Sequence, residues 1–147
     1  MRIITYKELI TNCSLSRSDI DYIIEQIEAF QDRDIHFYDK KDVFKKVFTG
    51  QYECFIVDDD GYKGCCIACL KVATNGEKYV DIISCIGTFK GKFQLYIEAL
   101  RAKIQEVYAD DGPVFYKIDG RLGWSKYFKK SGMVEMSRTF VGAFKYA

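Results

Sequence analysis

From Tyr79 to Tyr108 the chain reads YVDIISCIGTFKGKFQLYIEALRAKIQEVY, and no other stretch limits the fold as tightly. Tyr79 to Ile86 alternates and is rich in β-branched residues, which predicts a strand. Gly87 to Lys92 follows as a short loop carrying two glycines and two lysines. From Phe93 the apolar period changes, and Phe93, Ile97, Leu100, Ile104 and Tyr108 fall on one helical stripe. A strand that turns through glycine into a helix places unbonded amides and the positive end of the helix dipole at one point. Phosphate groups are held well there, although a change of chain direction needs glycine too.

The flanking segments complete the pattern. Arg2–Tyr6 suits an edge strand, and Ser16 or Ser18 can cap a helix over residues 18–30 whose apolar face is Ile20, Ile23, Ile24, Ile27 and Phe30. A shorter helix over Lys41–Phe48 ends at Gly50. Strands at Tyr52–Val57, Tyr62–Ala73 and Glu77–Ile86 are joined by the acidic turn Asp58–Gly61 and by Asn75-Gly76, a two-residue hairpin signal. These make an antiparallel meander. After the Phe93–Ala109 helix, Val114–Ile118 returns as a strand expected to lie parallel to the last meander strand. Asp119–Lys130 reads as a final helix, and Met133–Arg138 with Phe140–Tyr146 as a closing strand pair. The expected class is α/β (α+β): a mixed, mostly antiparallel central sheet flanked by helices, in the order β-α-α-β-β-β-α-β-α-β-β.

Composition enters where it excludes something. At 147 residues, with Pro113 the one proline, a single domain over 1–147 is expected. Twenty-two basic against 21 acidic residues argue against a dedicated nucleic-acid binder. No apolar run approaches the roughly 20 residues that span a bilayer, and the start lacks a signal-peptide core, so no membrane partner and a cytoplasmic location are expected. The six cysteines include Cys65, Cys66 and Cys69 in one strand. There Cys65 and Cys69 face one side and Cys66 the other, which breaks a tetrahedral grip, so no metal is expected. Buried reduced thiols fit the cytosol.

The order of elements resembles the GNAT superfamily of N-acyltransferases over essentially the whole chain. The clearest local likeness is RLGWSKYFKKSGM, Arg121–Met133, which resembles the family's closing helix, with Tyr127-Phe128 at its aromatic pair and Gly132-Met133 at its Gly-Phe. It is most similar to short GNAT-like proteins of tailed bacteriophages. The resemblance implies acetyl transfer from acetyl-CoA to an amine, with pantetheine held in a gap between the two parallel strands and the pyrophosphate at the long helix. The family loop Gln/Arg-x-x-Gly-x-Gly/Ala matches at Gly91 alone, with Thr88 first and Phe93 last. Phe128 falls where the family has its acid tyrosine, Arg121 where it often has asparagine, and Trp124 where it has a small residue.

Carried onto this sequence, the resemblance makes Ser84, Cys85, Ile86, Thr88, Lys90, Gly91 and Lys92 the acetyl-CoA-binding residues. Transfer requires a deprotonated amine, a polarised carbonyl and a proton for the departing sulfur. Asp81 is the candidate base and Tyr127 the candidate acid. Each has a plainer reading: Asp81 as a solvent-facing strand residue, Tyr127 as a core aromatic, Cys85 as packing, and the lysines as a solvated loop. The acceptor is a small-molecule or protein amine. The alternative is a catalytically degenerate protein on this scaffold, such as a bacteriophage virion or host-interaction component that binds a protein partner, the Phe/Tyr-rich C-terminus (Phe140, Phe144, Tyr146) then being core or a docking surface. A phage origin extends the expected location to host cytoplasm or virion.

Overall fold

A computed structural model describes residues 1–33, 38–87, 89–118, 125–136, 142 and 144. Strand β1 (Arg2–Thr5) leads into helix α1 (Tyr6–Thr11), then α2 (Arg17–Arg33) and α3 (Lys40–Phe48). Strands β2 (Glu53–Asp59), β3 (Tyr62–Val72) and β4 (Lys78–Ile86) form the meander, followed by α4 (Phe93–Val107), a short 3₁₀ turn (Ala109–Asp111), β5 (Phe115–Ile118) and α5 (Ser125–Lys130). The described strands make one five-stranded sheet in the order β1-β2-β3-β4-β5. Every pairing is antiparallel except β4 with β5, which is parallel. This is the mixed α/β architecture expected from the sequence.

Local chemistry accounts for the elements. Ser16 caps α2, its hydroxyl accepting from the Asp19 amide at 3.1 Å while the Asp19 carboxylate accepts from the Ser16 amide at 3.1 Å. That reciprocal pair satisfies amides the helix cannot bond itself. Asp60 and Gly61 turn β2 into β3 with φ of 50° and 84°, the left-handed pair that a two-residue hairpin needs. The next turn departs from the expected two-residue form. The Ala73 amide donates to the Glu77 carbonyl at 2.8 Å, so Thr74, Asn75 and Gly76 together make the loop, with Gly76 at φ 86°. Helix α1 is a further addition. Its six residues are too few to show a period, and Thr5 caps it through the Glu8 amide at 3.0 Å.

Two apolar layers lie on opposite faces of the sheet. Leu9, Ile23, Ile27, Val43 and Val47 from α1–α3 cover Cys54, Ile56, Cys65 and Ile67. On the other face the predicted α4 stripe is buried as a set, and Phe93, Ile97, Leu100, Ile104 and Tyr108 pack on Phe55, Val57, Cys66, Ala68, Val80 and Ile82. Cys65 and Cys66 divide between the two layers as the strand period requires. All six cysteines are thiols, with Cys13 exposed and the others buried. Tyr96 is the largest fully enclosed side chain. It lies beside the predicted stripe, one turn on from Phe93.

Of the expected closing elements, Ser125–Lys130 is helical, while 119–124, 137–141, 143 and 145–147 lie outside the described residues. Met133–Met136 form no ladder among the described residues, and Val134 and Met136 are exposed. Phe144 is exposed as well. No helix of the described residues is long and apolar enough to cross a membrane.

Gly64 is the tightest point of the sheet. A Cβ there would sit 2.7 Å from the Ile86 carbonyl oxygen and 2.9 Å from the Phe89 ring. Backbone cannot yield as a flexible side chain does. Gly64→Ala is therefore expected to lower the unfolding free energy by about 1–3 kcal/mol in urea titration. Gly76→Ala meets nothing within 4 Å and strains only its φ of +86°, so its cost is expected to be about 1 kcal/mol.

Candidate active site at the end of strand β4

Residue Ile83 interrupts the regular pairing of β4. Ala68 of β3 faces Ile82, and the preceding Ile67 faces Ser84, so Ile83 has no partner in the register. A one-residue bulge of this kind bends and twists its strand. The parallel ladder on the other side runs Tyr79↔Phe115, Val80↔Tyr116, Asp81↔Lys117 and Ile82↔Ile118, and reaches no further among the described residues. The described part of β5 stops at Ile118, opposite Ile82. Beyond Ile82, Ile83–Ile86 pair with β3, and among the described residues with no other strand. Ser84 and Cys85 are buried at this point.

The turn after β4 is built on left-handed backbone. Gly87, Phe89, Lys90 and Gly91 have φ of 123°, 54°, 44° and 81°. For Phe89 that conformation costs roughly 1–2 kcal/mol. Burial offsets it: the ring is 4% exposed, lies 4.7 Å from the Tyr96 ring and occupies the space left by Gly64 and Gly87. The Lys92 amide then donates to the Phe89 carbonyl at 3.1 Å and α4 begins. No side chain caps α4, and a Cβ on Gly91 would meet nothing within 4 Å. Unbonded helix amides beside an open glycine suit an anion. Phe93 turns inward, 5.0 Å from the Tyr127 ring and 6.4 Å from Phe128, so its bulk enters the core and not the face of the loop.

The loop lysines are engaged with the β2–β3 hairpin. Lys92 Nζ is 3.2 Å from Asp59 Oδ2, and the Lys92 ammonium holds that carboxyl below the ordinary range. Lys90 Nζ lies 4.7 Å from the centre of the Tyr62 ring. Thr88 lies outside the described residues, as do Arg121, Trp124 and His36.

Asp81 differs from the solvent-facing alternative. Its side chain is 4% exposed, and Oδ2 accepts from Lys71 Nζ at 2.5 Å. The hydrogen bond to Asp81 pushes the Lys71 ammonium well above the ordinary lysine value. Tyr38, which packs on the α2–α3 side, is pushed up to about 12 by burial and then by the Asp81 charge. Tyr127 is half-buried on α5 against the α4 core, with Lys126 Nζ 4.9 Å from its ring centre. The thiols of Cys65 and Cys66 are raised, first by Cys54 and Cys85 respectively and then by burial, so they stay protonated at neutral pH and are poor nucleophiles.

Sequence reasoning did not single out Tyr96. Its hydroxyl donates to the Ile86 carbonyl at 3.1 Å and stands 3.2 Å from Cys85 Sγ, joining the first turn of α4 to the end of β4. At the far end of the helix the Tyr108 hydroxyl donates to the Ala68 carbonyl, beside the bulge, at 3.3 Å. Tyr96 thus joins the end of β4 to the helix mouth, while Asp81 lies further back on β4, in register with Cys69 and Lys117. A cleft of about 450 Å³ lies between Val80 of β4, Val114–Tyr116, Arg101 and Ile104 of α4, and Gly132–Val134.

The same architecture recurs among solved acetyltransferases. A predicted acetyltransferase from Clostridium acetobutylicum with acetyl-CoA superposes with a TM-score of 0.63 at 6% identity, over 97% of this chain and 95% of that one. A GNAT family acetyltransferase from Staphylococcus aureus gives 0.56 at 15% identity, over 98% and 100%. An aminoglycoside acetyltransferase from an uncultured soil metagenomic sample, in complex with sisomicin, gives 0.59 at 12% identity, over 98% and 96%. The sequence matches no protein-family model and no curated protein. The chain has the fold of the GNAT acetyltransferases.

Two measurements check this geometry. Tyr96→Phe keeps the ring but leaves the Ile86 carbonyl without its donor, with an expected loss of about 1–2 kcal/mol in urea unfolding. Because Asp81 raises the folded-state Lys71 value, the pair contributes its full stability below the unfolded lysine value of 10.5, and that contribution is lost as pH rises through the raised one. The stability gap between the native chain and Lys71→Met is therefore expected to narrow above about pH 10.5.

Proposed function

We propose that the chain is an N-acyltransferase that moves an acetyl group from acetyl-CoA to a primary amine, working as a single domain over 1–147 in the cytoplasm. The observation that carries this reading is the bulge at Ile83, next to the last described pair of the parallel ladder, Ile82↔Ile118: it twists β4 out of regular pairing just before the mouth of α4. Bound acetyl-CoA would supply an activated thioester. Every other task falls to residues of this chain.

Backbone groups of Ser84, Cys85 and Ile86 hold the pantetheine arm, and one amide among them polarises the carbonyl. Amides cost no side-chain reorganisation, so they suit a fixed donor to developing negative charge. Gly91, Lys92 and the first turn of α4 receive the pyrophosphate, with Lys90 beside it, and Thr88 is assigned to the same role from the family pattern alone. Inward packing of Phe93 keeps its ring away from that position. Asp81 accepts the proton of the incoming amine, directly or through water. Tyr127 returns a proton to the departing thiolate, and its half-buried place against Phe93 puts it on the α4 side of the same end of the sheet.

A second reading is a catalytically silent member of this fold that binds a protein partner, such as a bacteriophage virion or host-interaction component. The engagement of Lys90 and Lys92 with Tyr62 and Asp59 favours it, since both cations are then occupied.

Calorimetric titration with acetyl-CoA separates the two readings. Saturable heat at micromolar to millimolar ligand is expected for the enzyme, and absence of heat and of thermal shift at millimolar ligand removes that reading. Tyr127→Phe is expected to lower kcat by roughly 10- to 100-fold with little change in coenzyme affinity. Unchanged turnover would remove Tyr127 from the acid role.

A further inference from the structure

We propose that Lys71 is a resident counter-ion standing where the acceptor's ammonium binds, and that the acceptor is a monocationic primary amine with a flat apolar body. The inference rests on the acyl-transfer reading and specifies the substrate class of that site. Its basis is the face of the sheet that turns toward α2 and α3, on the side of β4 and β5.

Asp81 is a buried carboxylate with one short ionic partner, Lys71, at 2.5 Å, and the Lys71 side chain is 42% exposed. An ion pair in which one member is enclosed and the other open to water is asymmetric. The lysine stem can swing into solvent, where its ammonium is well hydrated, whereas the carboxylate cannot follow. When Lys71 leaves, Asp81 must find another cation at the same place. A protonated primary amine is the ligand whose charge and donor geometry reproduce the one displaced. The proton Asp81 must accept for transfer is then already on the atom it contacts.

The neighbouring residues select the body of that amine. Tyr79 precedes Asp81 by two residues, and so lies on its face at a distance of about 7 Å along the strand. Its ring stacks on Phe115 of β5, centres 4.9 Å apart and planes within 4°, and Phe115 is 45% exposed. Two stacked, parallel rings on the same face as the carboxylate make an apolar surface beside it. Lys117, paired in register with Asp81 and exposed, sits on the same face.

The charges facing Asp81 tell against polycations. From β3 come Lys71 and Cys69, from β5 Lys117, and from the α2–α3 side Tyr38. Two of this set are cations and none carries a carboxylate. With Lys71 displaced and Lys117 in place, a second or third ammonium on the ligand meets a cation, not a carboxylate.

The test is equilibrium binding of phenethylamine and of spermine to the purified chain without any acyl donor, followed by acetyl transfer to each. Phenethylamine is expected to bind more tightly than spermine by at least fivefold. Lys71→Met is expected to tighten phenethylamine at least fivefold, because no internal ammonium competes. Lys71→Arg, which keeps the pair and holds it by a planar fork, is expected to weaken it, and this variant retains the counter-ion should the methionine variant fold poorly. Phe115→Ala is expected to weaken phenethylamine but leave ethylamine unchanged. Equal amine affinity across the native chain, Lys71→Arg and Phe115→Ala, or tighter binding of spermine, overturns the proposal. If these affinities follow expectation while acetyl-CoA does not bind, the acyl-transfer reading fails and the amine site stands. If acetyl is transferred while amine dependence ignores Lys71 and Phe115, the amine proposal fails alone.

Discussion

One extra residue in β4 governs the rest of the molecule. Up to Ile82 the strand is bonded on both sides, as a central strand in a buried sheet should be. At Ile83 the register with β3 slips by one residue, and among the described residues the parallel pairing with β5 extends no further than Ile82. A central strand with unpaired backbone is costly unless something else bonds it. Backbone open in this way suits a ligand, and on that basis the proposed chemistry is assigned to this strand end and not to the cleft beside Val114–Tyr116.

Helix α4 stabilises the irregular strand from one face. Tyr96 reaches the carbonyl at the strand's end, and Tyr108 reaches a carbonyl beside the bulge on the neighbouring strand. Between strand and helix, Phe89 holds a left-handed conformation that its buried ring compensates, and Gly64 and Gly87 make the space for that ring. Lys92 and Lys90 meet the β2–β3 hairpin through Asp59 and Tyr62.

Much of this was legible in the sequence because it depends on local period. The change from alternation to a 3.6-residue repeat at Phe93 located α4, and the strand period divided Cys65 from Cys66. What escaped depends on contacts distant along the chain. Helix α1 is too short to carry a period. Tyr96 looked like a residue beside the stripe, yet it is the largest fully buried side chain among the described residues, because α4 lies close over the end of β4. Asp81 read more readily as a solvent-facing strand residue. Its burial and its bond to Lys71 follow from the β3–β4 register, in which Cys69 faces Asp81 and Lys71 faces Tyr79, and no single-strand pattern contains that information. The acceptor side was invisible for the same reason, since Phe115 meets Tyr79 only once the parallel ladder is formed.

The account stands on bare backbone at Ile83–Ile86, and residue-resolved amide hydrogen exchange reads that directly. Without ligand, Val80 and Ile82 should be strongly protected, while at least one amide within Ile83–Ile86 exchanges orders of magnitude faster. Saturating acetyl-CoA should slow that amide and leave Val80 and Ile82 unchanged. Uniform protection of β4 through Ile86 in the free protein, or fast exchange there that acetyl-CoA does not alter, would contradict it.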